Sequence, residues 1–440
     1  MCMLSLSLNS DLNESLLRRV LCLTSNDCMA HRRLFPKNRK YISISEDHFL
    51  FVDNCIIDAP TWPVGFEKYV PDKPSFKRLL HWGPIIALII ILLVGSTATY
   101  LHIQWWPLKS SFACIHFVSF LFLNYCTLTN LCRSSLIGPG YLPFSWRPPD
   151  ESFESRLQFC KICDGYKAPR SHHCCRCGPW INNCVGHRNH AYFIRFLVAA
   201  VIGCIHAVFI ISCSIYYCIF RVWYIHYGIG DEPEVILSVY LFICSVFALG
   251  LAVGVIIAVG FLLFIQLKSV LKNRTGIEDY IVNKAESRER SDPFLYPYNL
   301  GWKRNFLEVL GTWDGSTKGN GVWWPVISPA TQFSFSEEQL IQKRIKRENA
   351  YEVNIVRSFP GGYCKSISFG IRTWIWQPWT DESRIAVKEG EHWLVTRADK
   401  YWLYGTRKDN PGDLNNGEQC LKDLQFVPRG WFPRSCVDNL

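Results

Sequence analysis

The sequence predicts an α-helical polytopic membrane protein with four transmembrane helices, a cytosolic Cys- and His-rich metal-binding loop, and a small C-terminal β-barrel. Three observations predict it. Four apolar runs are each long enough to cross a bilayer. Six of the chain's 20 cysteines fall between Cys160 and Cys184. Beyond residue 350, short alternating stretches rich in Trp, Tyr, Val and Ile are divided by Gly, Asn, Asp and Pro.

Residues 1–75 read as an irregular, polar extension ending in Lys73, Lys77 and Arg78. The first span is WGPIIALIIILLVGSTATYLHI, from Trp82 to about Ile103, with Trp105 and Trp106 as an interfacial belt. The second runs from Phe112 to about Leu131, the third from Leu197 to about Phe220. The fourth, Val235–Gln266, is longer than one crossing needs, so it tilts or lays its first turns in the interface. Together, 76–131 and 197–267 form the membrane part. Connection 132–196 carries nine Lys and Arg, among them Arg133, Lys161, Arg170 and Arg195, whereas 221–234 is acidic around Asp231, Glu232 and Glu234. Positive-inside counting places both termini and the Cys-rich loop in the cytosol. A polar linker, 268–345, holds an amphipathic helix near Ser336–Arg347, and 346–440 forms the last module.

Composition excludes several classes. The chain has 440 residues, a formal charge of +10 and 49% hydrophobic residues, a mixture suiting membrane and soluble parts together. Its cations flank apolar runs or sit in loops without an uninterrupted basic tract, so they signal topology and not nucleic acid. The polar start, MCMLSLSLNSDLNESLLRRV, does not read as a cleavable signal peptide. The near-absence of charge inside the spans disfavours a channel or transporter.

The central loop reads CKICDGYKAPRSHHCCRCGPWINNCVGHRNHAYF, Cys160 to Phe193. Cys160-x2-Cys163 and Cys174-x2-Cys177 have the spacing that lets two thiolates meet one tetrahedral zinc. His172, His173, Cys184, His187 and His190 supply further donors. A redox CxxC pair is the alternative, but two pairs with histidines between them point to structural zinc.

With KAPRSHHC, PWINNCVG and Asn189-x3-Phe193 between the second and third spans, the chain resembles the DHHC zinc-finger protein acyltransferases, the palmitoyltransferases. Gly138-Pro139-Gly140 is similar to that family's Asp-Pro-Gly, Thr275-x2-Glu278 to its Thr-Thr-x-Glu, and Asn299-x-Gly301-x3-Asn305-x5-Gly311 to its C-terminal motif. The resemblance covers about 75–311. It implies a cysteine nucleophile that takes a fatty acyl group, such as palmitoyl, from acyl-CoA at the membrane–cytosol boundary, assisted by a histidine base. The acyl group then passes to a juxtamembrane cysteine of a protein substrate. It also implies two structural zincs: Cys160, Cys163 and His173 on one, Cys174, Cys177 and Cys184 on the other.

The sequence departs from the family at its centre. Only Gly178 stands between Cys177 and Pro179, where the family places a further zinc ligand and the whole Asp-His-His-Cys. Each site therefore lacks its fourth ligand, and the nucleophile is missing. Cys177 and Cys175 are the surrogates nearest its place, though each fits a ligand or bystander role better. Flanks that match on both sides of one glycine fit a skipped coding segment as well as evolved loss of catalysis. Should the loss be real, the expectation becomes a zinc-stabilised membrane adaptor.

The last module is similar to an SH3 domain. Ile385, Val387, Gly390 and Glu391 match the turn after its first long loop. Tyr401 and Trp402 match the groove aromatics, and Trp431, Pro433 and Val437 the closing strand. A proline-rich peptide is the partner such a groove implies, although Val356–Pro360 replaces part of its wall. Cys364 in the first long loop reads as an ordinary thiol. Within the family an SH3 tail points to residence in the endoplasmic reticulum.

Overall fold

A computed structural model describes residues 56–57, 76–143, 145–160, 163–172, 180–230, 232–288, 290, 293–380, 382–408 and 428–438. The chain divides into two compact units, 1–159 with 165–335 and 160–164 with 336–440.

Four helices in the first unit are long and apolar enough to cross a membrane: α1 (Trp82–Trp105), α2 (Ser111–Leu136), α3 (His190–Ile219) and, after the short α4 (Arg221–Tyr227), α5 (Val239–Lys272). The chain is a multi-pass membrane protein. Helix starts follow local chemistry. The Ser110 and Ser238 hydroxyls cap α2 and α5 by accepting from the N–H of Ala113 and Leu241. Asn273 closes α5 in the left-handed conformation.

These helices overrun the expected spans at the loop end. α2 continues to Leu136, where the Ile137 N–H still donates to the Arg133 carbonyl, and α3 starts at His190, directly after the buried Asn189. α5 begins four residues later than expected, at Val239, because Ser238 caps it there. Its 34 residues measure about 51 Å, well beyond the ~30 Å of a hydrocarbon core.

Inside the bundle Ala98, Ala207, Ala248 and Ala252 are fully buried beside Leu101, Phe120 and Ile210. Small residues let helix backbones approach closely where lipid offers no hydrophobic drive. Outward-facing Leu92, Phe122, Ile257 and Phe264 remain exposed for lipid. At the opposite end from the loop, His102 of α1, His116 of α2 and His206 of α3 stack, with 3.2 Å between His102 Nε2 and His116 Nδ1.

The stretch expected as a linker is folded. It carries α6 (Gly276–Glu286) and α7 (Trp302–Leu310), and its Tyr296, Tyr298, Val326 and Phe335 pack with Val282 in their own apolar cluster. Aromatics spaced through a polar segment supplied that core. α8 (Ser334–Glu348) brackets the expected amphipathic helix and straddles the boundary between the units.

In the second unit, strands Tyr351–Asn354, His392–Ala398, Trp402–Arg407 and Arg429–Pro433 form an antiparallel sheet. Phe359–Pro360 pairs separately with Ala386–Val387. Among the described residues this is a four-stranded sheet and a two-stranded ribbon, a coarser outcome than the expected barrel. Trp393, Val395, Trp402, Leu403 and Phe432 fill the core.

Candidate functional site at the loop end of the bundle

The first unit gathers the family-like motifs where α2 ends and α3 begins. Asn183 and Asn189 are both buried and solve one problem, the unpaired carbonyls of a helix C-terminus. Asn183 Nδ2 donates to the carbonyls of Ser134, Ser135 and Ile137 at 3.2, 3.1 and 2.7 Å. Asn189 Nδ2 donates to those of Ser134, Ile137 and Cys184 at 3.3, 3.0 and 2.8 Å, while its Oδ1 accepts from the Gly186 N–H at 2.8 Å. Two side-chain amides thus fasten the chain after the cysteine cluster onto the end of α2.

Gly186 completes the junction. A Cβ there would lie 2.6 Å from both Cβ and O of Pro139, so only glycine admits this approach. Arg188 N–H donates to the Pro139 carbonyl at 3.2 Å, which ties Gly138-Pro139-Gly140 to the same turn.

A second clasp joins the loop to the end of α5. The Arg170 guanidinium, 9% exposed, meets Glu278, 0% exposed, at 2.7 and 3.0 Å. It also donates to the side chain and carbonyl of Asn273, at 2.9 and 3.0 Å. The rings of Tyr298 and Trp324 lie 4.8 and 4.5 Å from it. Glu278 belongs to a capping box with Thr275 and accepts a further bond from the Tyr296 hydroxyl at 3.1 Å. Burial alone would raise the carboxyl's pKa, but the Arg170 charge and hydrogen bonds hold it below the ordinary range. Both charges of the buried pair are hydrogen-bonded to several groups, the condition under which an interior ion pair is tolerated.

The C-terminal motif is anchored in the same way. Asn305, fully buried on α7, donates to the Leu271 carbonyl and to Asn299 Oδ1, each at 2.8 Å, and accepts from the Leu300 N–H.

Of the expected zinc ligands, Cys160 is buried, and Cys163 and Cys184 are half-buried. His173, Cys174 and Cys177, with the surrogate Cys175, lie outside the described residues. Among the described residues, which include three of the six expected ligands, no three metal-ligating side chains converge. Of the other donors, His172 and His187 are half-buried, each with a buried Nε2 that has no partner among the described residues, and desolvation lowers both pKa values, that of His187 to about 4. His190 opens α3 and meets Gln266 at 3.3 Å.

The residues expected to line a peptide groove are placed differently. Trp402, Trp431 and Pro433 are buried, and only Tyr401 is partly open. In register, Trp402 opposes Pro433 and Tyr404 opposes Trp431, which turns these side chains into the core.

The pattern of the DHHC palmitoyltransferase family matches residues 153–283. Palmitoyltransferase ZDHHC6 of Danio rerio is 40% identical over 392 residues, 82% of this chain and 92% of that protein. The chain belongs to the DHHC palmitoyltransferase family. Palmitoyltransferase ZDHHC6 of Homo sapiens is 37% identical over 83% of the chain, and probable protein S-acyltransferase 16 of Arabidopsis thaliana 28% identical over 51%. The function of this DHHC-family chain is that of a protein S-acyltransferase. Its partners are acyl-CoA and protein substrates at the membrane, and the family's loop is a zinc-binding domain. The clasp residues Asn183, Asn189, Arg170 and Glu278 were visible in the sequence only as motif letters. The Thr275-x2-Glu278 spacing carried a capping signal, but nothing local paired Glu278 with Arg170.

Proposed function

We propose that the protein is an endoplasmic-reticulum palmitoyltransferase by lineage, and that this sequence carries the scaffold of the reaction without its nucleophile. The single observation that carries the reading is the pair of clasps. Asn183 and Asn189 on the end of α2, and Arg170 on Glu278, hold the motifs on both sides of the missing segment in a finished setting. In the reaction a cysteine thiolate attacks the acyl-CoA carbonyl, and the CoA thiolate leaves with a proton. The acyl group then passes to a substrate cysteine thiolate, which regenerates the enzyme's thiol. Palmitoyl as the acyl group is supported by the names of the relatives, the cytosolic placement of termini and loop by the charge of the connections, and the endoplasmic reticulum rests on the resemblance of the SH3-like tail.

The same reading assigns structural zinc to Cys160, Cys163 and His173 and to Cys174, Cys177 and Cys184, with no acyl-transfer step passing through metal. A membrane adaptor is the second reading, favoured by the direct run Cys177-Gly178-Pro179. Any peptide binding by the SH3-like unit centres on Tyr401, the open member of its expected groove.

Incubation of the purified full chain with alkyne-tagged palmitoyl-CoA tests this. The expected result is no hydroxylamine-sensitive label, and label in a variant that restores the family's Asp-His-His-Cys segment between Cys177 and Pro179. Label on the unmodified chain that disappears in Cys175→Ser or Cys177→Ser would assign that thiol as a surrogate nucleophile and overturn the scaffold reading. Failure of the restored variant to label would favour the adaptor.

A further inference from the structure

Segment 363–380 of the second unit sends several polar side chains inward, beside Phe369 on the apolar core and the buried Pro378. Ser366, Thr373 and Gln377 are 0%, 6% and 3% exposed. Gln377 Nε2 donates to the Tyr363 carbonyl at 2.8 Å and to Ser366 Oγ at 2.7 Å. Thr373 Oγ1 donates to the Phe369 carbonyl at 3.1 Å, and the Trp402 indole N–H, from the core, donates to the Thr373 carbonyl at 2.9 Å. Six large apolar side chains face outward beside the exposed Lys365, Ser368 and Arg372: Ile367, Ile371, Trp374, Ile375, Trp376 and Trp379, each between 39% and 67% exposed. In the helical turn Ile371–Ile375, residues 371, 374 and 375 share one face. Hydrogen bonds fixed in the interior therefore hold isoleucines and tryptophans out, and a concentrated apolar patch of this kind marks an interaction surface.

Charge decides what covers it. From 355 to 380 the sequence holds Arg357, Lys365 and Arg372 and no Asp or Glu. Lys400 Nζ stands 5.7 Å from the Trp376 ring. Tryptophan edged with lysine and arginine is the chemistry of the membrane–water interface, where indoles sit at headgroup depth and cations meet lipid phosphates. A bilayer is also the surface always present, because α1, α2, α3 and α5 of the same chain span one. Insertion of a proline-rich peptide suits the patch less, since Trp402, Trp431 and Pro433 are buried.

We infer that the 363–380 face docks on the bilayer spanned by the chain's own helices, seating Trp374, Trp376 and Trp379 at the headgroup boundary and meeting anionic phospholipid through Lys365, Arg372 and Lys400. The docking surface is independent of the acyl-transfer chemistry and stands whether or not the nucleophile is restored.

The test places the full chain in nanodiscs of phosphatidylcholine and phosphatidylserine containing a diazirine-bearing phospholipid, then maps the photolabelled peptides. Peptides covering 364–379 are expected to carry label, and the sheet strands 392–407 are not. Trp374→Glu with Trp376→Glu should lower labelling of 364–379 at least tenfold. Lys365→Glu with Arg372→Glu, exposed positions that leave the core untouched, should lower it several-fold in phosphatidylserine discs. Labelled spans with an unlabelled 364–379 would overturn the inference. So would labelling indifferent to both double variants, or chain-to-chain crosslinks at 364–379 in place of lipid.

Discussion

Arg170 and Glu278 show how one buried pair can fasten two distant stretches of chain. They lie 108 residues apart, and each would be costly to bury alone. Removing one partner leaves an uncompensated interior charge, so Arg170→Met should lower unfolding stability by about 3–5 kcal/mol, measured by denaturation in detergent. Replacing both, Arg170→Met with Glu278→Leu, should recover much of that loss. The pH dependence has a definite sign. The carboxyl pKa is depressed below its ordinary 4.5 in the folded state. Its stabilisation is thus fully present above that pH and is lost as pH falls through the lower folded value. The thermal midpoint of the unmodified protein should drop more steeply below pH 4.5 than that of Glu278→Gln. Asn189→Ala strands the carbonyls of Ser134, Ile137 and Cys184, although Asn183 still serves the first two. A loss of about 1–3 kcal/mol is expected, smaller than that of Asn183→Ala with Asn189→Ala. The long-range partnerships, Arg170 with Glu278 and the two asparagines with the end of α2, were not legible in the sequence, because spacing reports neighbours along the chain and these bonds join residues 46 to 108 apart.

At the scale of elements, the spans were legible and their ends were not. Charge-free runs of more than 20 residues have no stable alternative to a buried or membrane helix, so α1, α2, α3 and α5 appear where hydropathy placed them. Their ends are set by caps at Ser110, Ser238 and Asn273, which a hydropathy window does not weigh. The strands of the second unit were likewise foreseeable from alternation. Which face of Trp402 and Trp431 turned inward was not, because that depends on the register between strands. The junction of α2 with the loop yields a sharp prediction. Gly186→Ala places a methyl carbon within 2.6 Å of the Pro139 backbone and ring, contacts that cannot relax by rotating a side chain. The variant should lose monodisperse protein on size-exclusion chromatography, whereas Gly250→Ala on α5, where the added Cβ meets nothing within 4 Å, should not.

For the whole molecule, four crossings among the described residues together with the basic loops predict that both ends of the chain lie on one side. Glycosylation acceptors inserted at 108–110 and at 228–230 should be modified in microsomes. Acceptors in 145–155 or after 340 should stay unmodified, and modification there would invert the topology. The length of α5 bears on more than topology. The charge-free part of α5, Val239 to Leu267, measures about 44 Å, longer than an ordinary hydrocarbon core, a mismatch of the kind that a tilted helix or a first turn laid in the interface absorbs. Asn273, which caps the far end of α5, and Glu278, in the first turn of α6 just beyond, are the anchors of Arg170. A thinner bilayer is expected to change the inclination of α5 and with it the setting of the cap that holds Arg170, so protease resistance of the cysteine-rich loop should differ between nanodiscs of short- and long-chain lipid.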